Sequence, residues 1–240
     1  MTFLIKVIPL FNNKKIKYKL NKILSAHIIG PLSRALHRVI YRNAPDPYKV
    51  IRINPLKIEG WYPENLYNEI IFLGQIKNGN WHLNVIPKDE ILSKSNKYRG
   101  IKDRYVYQKP WRETALFKER YMPMLENGKK IKRCTTLNEL ERLYYNEIDK
   151  MFLDVKQNGI SPPDHKVTPL FIHIGPEGEI YYTDEGNHRV YMAIILRLSS
   201  IPVKVLRRHK NWQKIREQVV KISDKEAILK KYNYHSDLLS

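Results

Sequence analysis

The sequence predicts an α+β fold: a small mixed β-sheet with packed helices, preceded by a helical N-terminal region. Three observations carry this. Pro169–Val205 reads as strand, turn, strand, polar loop, helix and strand in close succession. Leu137–Asn158 carries apolar residues at three- and four-residue steps, the period of a helix with one buried face. Met1–Pro45 contains apolar residues at near-helical spacing among nine Lys or Arg and no Asp or Glu.

In chain order, the first 45 residues are the most one-sidedly basic. Phe3–Phe11 is apolar but interrupted by Lys6 and Pro9, and Lys14, Lys15, Lys17, Lys19 and Lys22 follow. Ile23, Leu24, Ile28, Ile29, Leu32, Leu36, Val39 and Ile40 recur at near-helical steps, broken at Gly30-Pro31. The longest uncharged piece, Ile23–Ser33, is too short for a bilayer, which needs about 20 residues. No secretory cleavage pattern follows. This segment is either a basic amphipathic arm for an anionic membrane or nucleic acid, or a helix packed on the core with its lysines in water.

Asn43-Ala44-Pro45-Asp46-Pro47 marks a boundary, giving an arm at 1–45, a mostly helical region at 46–160 and a core at 161–240. Lys49–Ile53 alternates as a strand and Leu83–Ile86 is a second short strand. From Ile91 to Pro123 aromatics and cations interleave (Tyr98, Arg99, Arg104, Tyr105, Trp111, Arg112). Such a mixture either stacks bases and holds phosphates, or belongs to helices with aromatics inward and cations solvated. Thr136 and Glu139 form a capping box ahead of the long helix, and Gly159 closes it. After the strand Ile201–Leu206, a helix begins near Asn211 with Trp212, Ile215, Val219 and Ile222 inward; Tyr232–Ser240 is expected to fray.

Composition narrows the function classes. With 42% hydrophobic and 28% charged residues in 240, the chain is globular. Its 43 Lys and Arg against 24 Asp and Glu give a formal charge of +19, which favours anionic partners: nucleotides, nucleic acid or an anionic membrane surface. Biased codon usage alone is the competing account of this balance. The single cysteine, Cys134, excludes an internal disulfide framework and fits a reducing, cytoplasmic setting. No paired Cys/His spacing is present, so no metal site is expected.

The chemistry concentrates in Asp184-Glu185-Gly186-Asn187-His188-Arg189, a polar loop running into the apolar helix Val190–Leu198. A glycine-containing turn at a helix start presents N–H groups with the positive end of the helix dipole behind them, which suits phosphate. Arg189 adds a fork of donors, and His188 can exchange a proton near neutrality. The same residues can equally form a capped turn that satisfies only local carbonyls.

The run EGNHRVYMAIILRLSSIPVKV resembles the central motif of the ParB/sulfiredoxin superfamily, with its strand, G-x-(H/R)-R-type loop, helix and IPV-type strand. More widely, Gly74–Arg216 resembles a ParB/sulfiredoxin-related family of archaea, bacteria and phages. The shared features are Gly79-Asn80-Trp81, Trp111-Arg112-Glu113-Thr114, the long helix ending in Asn158-Gly159, the loop, and Val205 to Trp212. Asn80 and His82 stand where the family pattern has acidic residues, so the resemblance does not carry a metal or base role over to these positions. The resemblance implies that the loop holds nucleotide phosphates, as in CTP-binding partition factors and a free-serine kinase with a DGHHR-like loop. Asn187 stands where sulfiredoxins carry their catalytic cysteine, so sulfinic acid reduction is excluded.

On that basis Gly186, Asn187, His188 and Arg189, with Arg207 or Arg208, are expected to bind ATP, ADP or CTP. Glu185, Asp184 or His188 would act on an acceptor, Asp164 being a further carboxylate, with Mg²⁺ bridging phosphate oxygens if the site is catalytic. The expected function is nucleotide binding, as a phosphotransferase (kinase) or nucleotide hydrolase. The alternative is a DNA- or other nucleic-acid-binding protein that uses its charge without catalysis.

Overall fold

A computed structural model describes residues 25–63, 72–163, 168–183, 186–221 and 225–239. It is an α+β fold in which, among the described residues, seven strands form one mixed sheet and eight α-helices pack around it. The elements are α1 (Gly30–Ile40), β1 (Val50–Ile53), β2 (Ile58–Trp61), β3 (Gln75–Lys77), β4 (Ile86–Pro87), α2 (Lys88–Lys94) and α3 (Asn96–Tyr105). They continue with α4 (Met122–Glu126), α5 (Leu137–Asn158), β5 (Phe171–Ile174), β6 (Ile180–Tyr182), α6 (Asn187–Ile195), β7 (Ile201–His209), α7 (Lys210–Lys221) and α8 (Lys225–Lys231).

β7 organises the sheet, whose strand order is β1-β7-β5-β6-β2-β4. One edge of β7 pairs antiparallel with β1 over its first half and parallel with β3 over its last three residues. Its other edge pairs parallel with β5 from Lys204 onward. Pro202, which has no N–H to give a ladder, is accommodated because the β5 ladder starts only after it. Strands from 46–160 and from 161–240 therefore interleave in one sheet, and the expected boundary at 160 is crossed by β2–β6, β1–β7 and β3–β7 pairing.

α5 follows its sequence closely. Thr136 Oγ1 accepts from Glu139 N–H at 3.3 Å and Glu139 Oε2 accepts from Thr136 N–H at 3.2 Å, closing the capping box. Gly159 ends the helix at φ 73°. Leu140, Tyr144, Ile148, Phe152 and Val155 are buried against the sheet-side core. Between α3 and α5 the aromatics also turn inward. Asp149 accepts from Trp111 Nε1 at 2.9 Å, Tyr105 Oη at 2.7 Å and Arg104 Nη2 at 2.6 Å, and Tyr105 stacks on Phe152 at 3.5 Å.

Four expectations need correction. Leu83–Ile86 is not a strand: Trp81–Asn84 is a 3₁₀ turn and only Ile86–Pro87 reach β2. α6 begins three residues earlier than expected, at Asn187, and ends at Ile195, where Arg197 takes φ 52° and Leu198 N–H bonds Ala193 O at 3.0 Å in a C-terminal reversal. The expected break at Gly30-Pro31 is a change of helix type: a π-helical turn at Ser25–Ile29 passes directly into α1 at Gly30, with Pro31 in the first turn of α1. Tyr232–Ser240 is not frayed over its described length, because Asp237 is completely buried. The apolar run at 3–11, the lysines to 22, Asp164 and Ile222 lie outside the described residues.

Candidate functional site

The polar loop enters α6 through Gly186, whose φ of 74° and ψ of 24° place it in the left-handed region. A Cβ at this position would lie 2.6 Å from Leu170 Cδ2 and 2.9 Å from Arg189 Nη2, so only glycine fits. The Gly186 carbonyl accepts from the Arg189 N–H at 3.0 Å and the Val190 N–H at 3.4 Å. The N–H groups of Asn187 and His188, at the first turn, precede any intrahelical acceptor.

What fixes this end in space is the rest of α6. Val190, Tyr191, Met192, Ala193 and Ile194 are all buried, and the Tyr191 ring lies tilted against Trp61 and edge-to-face with Tyr98 while its hydroxyl accepts from Ser95 Oγ at 3.2 Å. The helix thus packs between α3 and α5.

Around that start the polar groups are unusually desolvated. Asn187 Oδ1 and His188 Nε2 are inaccessible and have no hydrogen-bond partner among the described residues. Burial lowers the His188 pKa to about 4, and the positive charges of Lys97 and Lys132 push it the same way. Its ring lies 6.4 Å from Tyr144, over which the Lys132 ammonium sits at 5.1 Å. Arg189 donates from Nη2 to Thr168 O at 2.7 Å; burial pulls its guanidinium below its usual pKa, with Tyr182 pulling the other way.

Lys132 reaches this region from a two-residue reversal. Ile131 and Cys134 exchange backbone hydrogen bonds at 3.0 and 2.8 Å, and Lys132 and Arg133 between them have φ 49° and 71°. Two consecutive non-glycine residues at positive φ cost roughly 1–2 kcal/mol each. Lys97, on α3, and Lys132 are the cations the structure brings to the loop, and sequence reasoning missed both. In a chain with 43 Lys and Arg, nothing marks these two.

The arginines expected to complete the site lie elsewhere. Arg207 is fully buried, donates from Nε to Gln75 Oε1 at 2.9 Å, and sits 5.4 Å from the Tyr62 ring and 5.2 Å from the Trp81 ring. Arg208 is held by Asp237 through Nε at 2.9 Å and Nη2 at 2.5 Å. In register, Arg207 lies beside His173 and Arg208 beside Ile174, whereas Arg189 contacts Thr168 at the opposite end of β5. The separation from Thr168 to His173 is about 16 Å along the chain. Neither arginine serves the loop, because both are committed to internal partners at the other end of the sheet. Asp184 and Glu185, expected to act on an acceptor, lie outside the described residues, as does Asp164. Among the described residues no cluster of three or more His, Cys, Asp or Glu could hold a metal ion.

Four cations of the aromatic–basic stretch are also paired. Arg99 pairs with Glu119, Arg104 with Asp149, Lys109 with Asp103 and Arg112 with Glu141. An open groove of ≈ 490 Å³ lies among several of these residues, including Arg99, Lys102, Asp103 and Glu119, away from the loop. Comparison with family models, curated proteins and solved structures finds no match for the chain. Among the described residues no helix is long and apolar enough to cross a membrane.

Proposed function

We propose that the protein binds the phosphates of a nucleotide at Gly186–Arg189, with Lys97 and Lys132 supplying the flanking positive charge. The observation that carries this reading is His188 Nε2, inaccessible and without a hydrogen-bond partner among the described residues, at the start of a helix whose following residues are buried. A buried polar group without a partner costs about 1–3 kcal/mol, and an anion bridging the first-turn amides and the Nε2–H tautomer of His188 would relieve that cost at the histidine. Asn187 Oδ1, an acceptor, would need a donor from the ligand. The likeness of the EGNHR run to the ParB/sulfiredoxin superfamily supports ATP, ADP or CTP as the ligand and membership of that superfamily as the reason.

Phosphotransfer or nucleotide hydrolysis is the reaction this reading extends to, with Mg²⁺ bridging phosphates and Asp184 or Glu185 acting on the acceptor. His188 is a weaker base than usual in its buried setting, but as a neutral imidazole it can accept a proton through Nε2 or donate from the other nitrogen. The reading places the protein in a reducing, cytoplasmic compartment, in keeping with Cys134 as a buried free thiol.

Nucleic-acid binding is the second reading, favoured by the +19 charge. The pairing of Arg99, Arg104, Lys109 and Arg112 with carboxylates weakens it, since cations already neutralised within the protein are less available to displace counterions from a phosphate backbone. Isothermal titration with ATP, ADP and CTP, with and without Mg²⁺, separates the two. Binding that weakens in Arg189→Ala supports the loop. Unchanged nucleotide affinity in that variant, with steeply salt-dependent duplex binding, would transfer the function to nucleic acid.

A further inference from the structure

α1 is mounted the wrong way round for a helix of a globular core. Gly30 and Ser33 are buried and Arg34 and His37 half-buried, so the small and polar side of the helix faces the protein. The apolar residues point outward: Ile28, Leu32, Leu36, Val39 and Ile40 are 44, 65, 50, 85 and 59% exposed. At 100° per residue Leu32, Leu36, Val39 and Ile40 fall on one side of α1, away from the buried side, and Ile28 lies in the π-helical turn just before it. Of the two readings the sequence left open, core packing of this stripe is therefore not what the fold does.

The mounting is firm. The N–H groups of Arg42 and Asn43, just past the helix, donate to the Glu217 carboxylate of α7 at 3.0 and 2.8 Å. Arg34 lies 5.8 Å over the Tyr48 ring. Gln213 Nε2 donates to Asn43 O at 2.9 Å. A helix end tied by backbone and side-chain bonds to another helix presents a fixed surface.

In sequence, the charge of this segment is of one sign. Residues 1–45 hold nine Lys or Arg and no Asp or Glu, and Arg38 and Arg42 are exposed beside it. An exposed apolar stripe with Arg38 and Arg42 beside it, in a segment that carries only positive charge in sequence, matches an anionic lipid surface, where side chains enter the acyl boundary and cations meet headgroups. A second copy of the chain would bring the same positive charge against itself. We infer that α1 is a fixed interfacial helix that seats the protein on anionic membranes.

The test is flotation of the full chain with vesicles of phosphatidylglycerol and phosphatidylcholine, against vesicles of phosphatidylcholine alone. The expected result is binding to the anionic vesicles only, weakened by salt, and lowered by about tenfold or more in Leu32→Ser/Leu36→Ser/Val39→Ser. These positions are exposed, so the triple variant should melt as the wild type does, and Arg189→Ala should float normally. Anionic binding unchanged in the triple variant would overturn the inference, leaving lysine electrostatics alone, as would no flotation at all. A dye on Leu36→Cys, with Cys134 buried, should shift to the blue only when anionic vesicles are added. A blue shift already present without vesicles, or a dimer in sedimentation that the triple variant abolishes, means that the chain itself covers the stripe and equally overturns it.

Discussion

Asp237 closes on Arg208 through two hydrogen bonds, from Nε at 2.9 Å and Nη2 at 2.5 Å, with both side chains sealed from solvent. The same carboxylate accepts from Trp212 Nε1 at 2.9 Å and lies 3.1 Å from Arg216 Nη1. Burial alone would raise the Asp237 pKa, but Arg208, then Arg216 and the Trp212 donor, hold it well below the usual carboxylate range. The C-terminal turn is thereby bolted to β7 and α7, and an arginine that resembles a phosphate ligand is a structural one.

Asp237→Ala should destabilise the protein by about 3–5 kcal/mol, because two buried guanidinium groups lose their counter-charge. Urea unfolding checks this. Since the folded-state pKa lies below the unfolded one, the contribution is present above the ordinary Asp pKa and is lost as pH falls through it and below. Stability unchanged in Asp237→Ala would mean that the arginines find other partners.

Gly100→Ala tests packing against propensity. Alanine in a helix interior is normally favoured over glycine by about 1 kcal/mol. Here a Cβ would lie 2.4 Å from Leu116 Cβ and 3.1 Å from Leu116 N, and Leu116 is completely buried. Overpacking of that kind costs about 1–3 kcal/mol, so the substitution should lower the melting temperature. A raised melting temperature would show that α3 can slide away from Leu116.

These contacts indicate what could be read in advance. α5 was legible because its information is local: a cap, a period and a closing glycine. The strand pair at 171–182 and β7 were legible for the same reason, as short apolar runs bounded by turn residues. Long-range pairings left no such trace. Arg208 and Asp237 are 29 residues apart, and no pattern distinguishes an arginine aimed at phosphate from one aimed at a distant carboxylate. The orientation of α1 was equally hidden. Periodicity reveals that a helix has an apolar stripe, but whether the stripe faces the protein depends on what the neighbours offer.

If Lys97 and Lys132 serve the loop, their removal should weaken nucleotide binding while that of remote cations should not. A charge-assisted contact contributes about 1.5–3 kcal/mol, so Lys132→Ala should raise the nucleotide dissociation constant by roughly tenfold or more. Lys102→Ala, beside Tyr107, should leave it unchanged. Lys132 pairs only loosely with Glu147, at 3.7 Å on an exposed surface, so a fall in affinity would not be a folding effect. Equal affinities in both variants would remove Lys132 from the site.

His188 offers a readout that depends on what lies beside it. In the free protein its pKa is about 4 against an ordinary 6.5, so between these values the unfolded chain binds the extra proton and the folded chain does not. Its contribution to stability is complete above pH 6.5 and declines as pH falls toward 4, by on the order of 3 kcal/mol in all. His188→Gln should flatten that part of the profile in urea unfolding at pH 7.5 and pH 5. A bound phosphate would reverse the local electrostatics. It would offset Lys97 and Lys132 and favour the imidazolium, so the His188 pKa, followed by NMR of the ring carbons, should rise when ATP is added. An increase seen with ATP and lost in Arg189→Ala would link the histidine, the arginine and the anion in one site. A pKa that stays near 4 with saturating nucleotide would mean that the phosphates bind somewhere other than the start of α6.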